Sequence, residues 1–118
     1  MKYSKIIEVF LKAITEAETE NQLNSEYMQE EDKYLQDILH KLELEETSIV
    51  EKIELATKLS ESRKKRRKSK DIVETTGAIK EWINENKKSI NSLKQLLGKV
   101  RKIEDYHENR TYTPKILN

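Results

Sequence analysis

The sequence predicts an all-α protein: an antiparallel helical bundle, or coiled-coil hairpins on a long central helix, ended by a short extended C-terminal tail. Two observations carry this. Two Gly and one Pro in 118 residues leave almost nothing to interrupt a helix. Apolar residues recur every three or four positions, and they make up only 35% of a chain that is 38% charged, so they can cover narrow helix stripes but not sheet faces. The expected organisation is a helical domain over 1–110 and a tail over 111–118.

Tyr3, Ile6, Phe10, Ile14 and Ala17 give a first amphipathic helix, whose stripe Ile7 and Leu11 widen. The pattern fades across Asn21 to Ser25, where Asn24 or Ser25 is a candidate cap for a second helix through Tyr27, Tyr34, Leu35, Ile38, Leu39 and Leu42. A break is expected at 45–47. Ser48 with Glu51 three residues later matches a capping box and predicts a third helix starting there. Its stripe runs through Ile49, Ile53, Ala56 and Leu59, vanishes from Ser60 to Asp71, and resumes at Ile72, Val73, Ile79, Trp82 and Ile83, with Gly77 as a weak point. Asn84 to Lys88 reads as a turn before a last helix carrying Ile90, Leu93, Leu96, Leu97, Val100 and Ile103, with a seven-residue repeat through Leu93, Val100 and His107. Pro114 removes a donor and forces an extended predecessor, so this helix should end before Thr113. Short connections near 46 and 86 imply antiparallel neighbours. The third helix then becomes a spine, with residue 63 facing residue 30 on one side and residue 111 on the other.

Charge is polarised along the chain. Residues 1–62 carry 7 Lys against 15 acids, and residues 63–118 carry 16 Lys or Arg against 7 acids, so opposed halves can attract within one chain or between copies. The densest feature is the run Arg63, Lys64, Lys65, Arg66, Arg67, Lys68, followed by Lys70. Six consecutive cations surround a helix and leave no apolar seam. The expected arrangement is neutralisation inside the protein, by Glu26, Glu30, Glu31 and Asp32 on one side and Glu104, Asp105 and Glu108 on the other. The second reading is a phosphate-binding patch for nucleic acid through Arg63, Lys64, Arg66, Arg67 and Lys70, and the third is a contact with an acidic protein partner. No aromatic residue is interleaved with the run, which disfavours stacking on single strands.

Catalytic readings are weak. The chain has no Cys, which excludes disulfides and thiolate chemistry. Its Ser residues lie in no nucleophile elbow or phosphate loop. Asp37 with His40, and Glu104 with His107, each place a carboxylate and an imidazole one helical turn apart, but the spine arrangement separates the two pairs by about 21 Å. Neither a catalytic centre, a metal nor a cofactor is expected. No stretch has the ~20 apolar residues of a membrane span, so the cytoplasm is the expected location. Trp82, the only tryptophan, is expected to be a core anchor or an interface anchor. Tyr112, with Ile116 and Leu117, makes the tail apolar enough to dock on its own bundle or in a partner's groove.

The segments Lys58–Asp71, Leu97–Glu104 and Glu108–Lys115 resemble small coiled-coil proteins of phages and prophages of Gram-positive bacteria (Firmicutes). The likeness covers about the last two-thirds of the chain. It carries over no functional residue, but it implies a context: a bacterial host cell, and a host protein as partner, for example a defence component such as a CRISPR effector or a restriction enzyme. The expected function is therefore that of a non-enzymatic helical interaction protein which modulates a host protein. The alternatives are a nucleic-acid-binding accessory protein and a structural coiled-coil oligomer. Self-association is also expected, because so small an apolar complement completes a core best between copies.

Overall fold

The computed structural model describes residues 2–111 and Ile116. It contains three helices, α1 (Tyr3–Leu44), α2 (Ile49–Glu85) and α3 (Lys87–Asn109), with no strand among the described residues. The all-α prediction and the hairpin architecture hold. The molecule is elongated, 97 × 30 × 15 Å.

α1 and α2 form one long antiparallel hairpin. The reversal falls at 45–48, where the sequence places it, and Ser48 caps α2 as its spacing predicts: its hydroxyl accepts the Glu51 amide at 3.2 Å. Along α1 the less exposed residues repeat by sevens, as Ile7, Ile14, Asn21, Met28 and Leu35, with Ala17, Asn24, Glu31 and Ile38 beside them. α2 answers with Leu55, Ser62, Ser69, Thr76 and Ile83, and with Leu59, Arg66 and Val73. This is a heptad seam. Its ends are apolar and its middle is polar.

That polar middle corrects the first expectation. Residues 21–25 do not end a helix: α1 runs unbroken from Tyr3 to Leu44. Asn21 and Asn24 are buried and point into the seam. The Asn21 amide donates to the Val73 carbonyl at 3.2 Å and to the Thr76 hydroxyl at 3.1 Å, both on α2. Asn24 donates to the Glu20 carbonyl at 2.8 Å, and the Ser25 hydroxyl to the Asn21 carbonyl. Polar residues that resemble a cap locally are seam residues satisfied across the hairpin and within α1. Gly77 is likewise no break, since α2 passes through it; a Cβ there would lie 3.8 Å from the Asn21 amide nitrogen, an ordinary contact.

The second correction concerns α3. The helix is interrupted at Asn86 alone (φ −124°, ψ 31°), whose side chain donates to the Trp82 carbonyl at 2.9 Å. The chain does not turn back along α2. Arg101 reaches Glu8, the Glu104 carboxylate accepts the Ser4 amide, and Glu108 pairs with Lys2. As α3 advances, its partners on α1 retreat, so α3 is antiparallel to α1 and runs in the same sense as α2. Ile90 and Leu97 are buried, and Leu93 and Val100 are half-buried. His107 does not continue the repeat: it is exposed in the last turn. α3 ends at Asn109, before Thr113 as expected, and the geometry around Pro114 lies outside the described residues.

Replacing Asn21 by Leu together with Thr76 by Val tests the polar seam. One hydrogen bond contributes about 0.5–1.5 kcal/mol net, and the apolar burial gained is of at least similar size. Thermal stability should therefore hold or rise, while sedimentation and NMR should reveal mixed registers or oligomers. A less stable but single, uniform species would contradict this.

Candidate functional surfaces

The seam divides the hairpin into two flanks. Glu31 and Asp32 are neighbours on α1 yet serve different sides: Glu31 bonds the Ser62 hydroxyl, whereas Asp32 bonds Arg66 at 2.8 Å and lies 3.9 Å from Arg63. Phe10 is three heptads from Glu31, and Leu11 three heptads from Asp32. Phe10 therefore belongs to the first flank and Leu11 to the second, which is where α3 packs through Ile90.

On the first flank, near the free end of the hairpin, Phe10, Ala13 and Ile14 of α1 face Ala78, Ile79 and Trp82 of α2 across an open groove of about 440 Å³. Phe10 remains 49% exposed and Trp82 44% exposed, although both rings are lined up on apolar neighbours. α3 covers the other side of α1 at this level, so among the described residues no helix lies over the groove. Two small residues in its walls, Ala13 and Ala78, would let another helix approach closely. Trp82 was expected as a core or interface anchor and stands half-exposed at the rim. The sequence places Phe10 and Ile79 on the apolar stripes of their helices. The heptad frame does not separate them from buried residues: Phe10 continues the row of Ala17, Asn24, Glu31 and Ile38, and it stays half-exposed because α3 packs on the Leu11 side instead.

The basic run lies at mid-length of α2. Ser60, Arg63, Lys64, Arg66, Arg67 and Lys70 line one shallow surface on the second flank. Internal neutralisation is only partial. Among the described residues Asp32 is the only acid that pairs with the run, and it takes Arg63 and Arg66. Glu31 is engaged by Ser62, and Glu26 accepts from Gln22. The acids expected from the last helix are elsewhere: Glu104 and Glu108 sit against Ser4 and Lys2, because α3 continues past the run instead of folding back on it.

No group of three or more His, Asp or Glu side chains that could hold a metal occurs among the described residues. His107 is carried to the far end with Glu108, its ring 6.0 Å from that of Tyr106, while His40 lies exposed towards the reversal. The separation of the two carboxylate–imidazole pairs is thus much larger than the spine arrangement implied. No helix among the described residues is long and apolar enough to cross a membrane. Tyr112 and the docking of the tail lie outside the described residues.

No family model matches the chain, and no curated protein or solved structure matches it.

Ion pairs and hydrogen bonds at exposed sites add to the apolar packing of α3 on α1. The Arg101 hydrogen bond, aided by the charge of Lys5, lowers the pKa of Glu8. Hydrogen bonding from Ser4 lowers that of Glu104, and the Glu108 hydrogen bond and charge raise that of Lys2. A depressed carboxylate contributes stability above its unfolded pKa and loses it as pH falls through the folded value. The raised Lys2 contributes below its unfolded pKa and loses it as pH climbs through the folded one. Acidification below about pH 4 should therefore loosen α3 from α1 before the hairpin opens. Hydrogen exchange, corrected for intrinsic rates, should show Leu97–Glu108 deprotected at acid pH while Val73–Ile83 stays protected. Equal loss in both segments would contradict it.

Proposed function

We propose that this protein is a non-enzymatic helical interaction protein, phage-encoded, that binds a host protein by receiving one of its amphipathic helices in the Phe10–Trp82 groove. The observation that carries this is the groove itself: a large aromatic pair and Ile79 held half-exposed between two helices, with the third helix on the opposite side. Receiving a helix is the mode that such a surface serves, because an apolar stripe at i, i+3, i+4 and i+7 fills a groove of this shape. Tryptophan at such a rim supplies large contact area at small entropic cost and is over-represented among residues that dominate binding energy. The resemblance to phage proteins supports placing the partner in a bacterial host.

The test pairs capture with spectroscopy. Wild-type protein and the variants Ile79→Asp and Phe10→Ser, each first shown to be helical, are used to capture proteins from a nuclease-treated Gram-positive lysate. The expected result is a captured host protein, lost about 10-fold or more in both variants, as the removal of about 1.4 kcal/mol or more implies. The purified partner should also blue-shift the emission of Trp82, the only tryptophan. Equal capture by wild type and variants would overturn the proposal. So would a concentration-dependent dimer abolished by Ile79→Asp without any host protein, because the groove would then serve a second copy.

A further inference from the structure

The groove leaves the other flank of the hairpin unexplained, and there the charge is out of balance. Arg63, Arg66, Arg67 and Lys70 fall on one side of α2 within two turns, with Lys64 at the edge. Seven residues separate Arg63 from Lys70, a rise of about 10 Å. Asp32 pairs with Arg63 and Arg66 and so fixes two guanidinium groups against the seam. Lys64, Arg67 and Lys70 have no ion pair among the described residues, and Lys64 and Arg67 are exposed. The helix that might have supplied their counter-charges runs on to Ser4 and Lys2 instead.

We propose that this belt binds the phosphate backbone of a nucleic acid duplex. The surface around it selects this polyanion. Firm binding of a helix to an anionic membrane draws on apolar residues beside the cations that enter the headgroup region. The belt is bordered by Ser60 and Asp71, and α2 has no apolar residue between Leu59 and Ile72. Single strands require aromatic platforms for the bases, and the run from Arg63 to Lys70 contains none. What remains is a straight, rigid row of cations on a helix, a form that contacts phosphates without reading bases. Binding is sequence-independent. Three unpaired cations give a salt slope of about −2.7, so affinity should fall about 40-fold between about 50 and 200 mM salt, within the range of non-specific binders at roughly 10⁻⁴–10⁻⁶ M.

The test uses the full chain and a fluorescently labelled duplex of arbitrary sequence, followed by anisotropy at both salt concentrations. The triple variant Lys64→Gln, Arg67→Gln, Lys70→Gln spares Arg63, Arg66 and the seam, and should lose at least about 10-fold in affinity with an unchanged helical spectrum. Asp32→Asn releases Arg63 and Arg66, and should bind more tightly, with a salt slope steeper by about 1–2. Opposite effects from removing cations and removing the acid would support the belt as the site. Absence of binding at about 50 mM salt overturns the proposal, as does equal binding by the triple variant. Tighter binding to single strands, or to phosphatidylserine vesicles, than to the duplex also overturns it. The groove variant Ile79→Asp should bind the duplex as wild type does, which separates this inference from the fate of the groove.

Discussion

The hydrogen bonds of Asn21 to the Val73 carbonyl and the Thr76 hydroxyl lie at the heart of the molecule, because they lock two long helices in one register where apolar packing cannot. A seam of leucines tolerates slippage by a heptad, since every layer resembles the next. A seam that is Asn against Thr at one level, Glu31 against Ser62 at another, and Asp32 against Arg66 beside it does not. A one-heptad slip in either direction would strand two of these three groups against apolar partners (Leu55 and Leu59, or Ile83 and Val73), and each buried polar group left unsatisfied costs about 1–3 kcal/mol. The apolar ends, Ile38 and Leu55 near the reversal and Ile83, Ile90 and Leu97 near the free end, supply burial. The polar centre supplies specificity, the role best attested for a polar residue at a coiled-coil seam position.

This register determines what each flank can do. Heptad spacing sets Phe10 and Trp82 on one side and Asp32 with the basic run on the other, so the apolar groove and the cationic belt do not compete for the same surface. The position of α3 completes the division. By pairing with the first turns of α1 it fills one side of the free end, leaves the groove open on the other, and withdraws its own acids from the belt. A thin rod of 97 × 30 × 15 Å has a high ratio of surface to core, and displays both faces along its length instead of enclosing a site.

Much of the fold was legible in the residues. Ser48 and Glu51 announced the start of α2, and the loop length near 46 implied the antiparallel pairing that brings Asp32 to Arg63 and Arg66. The continuity of α1 was not legible, because Asn and Ser serve equally well as caps or as seam residues, and only the facing helix decides between them. The direction of α3 was hidden for a related reason. A one-residue interruption at Asn86 looks in sequence like a reversal, and whether the chain kinks or folds back depends on the better apolar partner for Ile90, which is Leu11 and Ile14 of α1. The belt was legible as a charge run, but its partial neutralisation followed from the course of α3. The groove was not legible, since both the three-or-four spacing and the heptad frame place Phe10 in the row of Ala17 and Ile38, and only the course of α3 leaves it half-exposed.

The account depends most on α3 continuing along α1, and the cysteine-free sequence makes this directly measurable. Spin labels on Lys2→Cys and Glu108→Cys, with distances read by pulsed electron paramagnetic resonance, distinguish the two courses. A single short distance, below about 20 Å, is predicted, because the native side chains of these residues form an ion pair. Were α3 folded back along α2, residue 108 would lie beside the basic run and opposite residue 30. The labels would then be about 40 Å apart along α1, and a distribution centred there would contradict both the fold and the assignment of the two flanks.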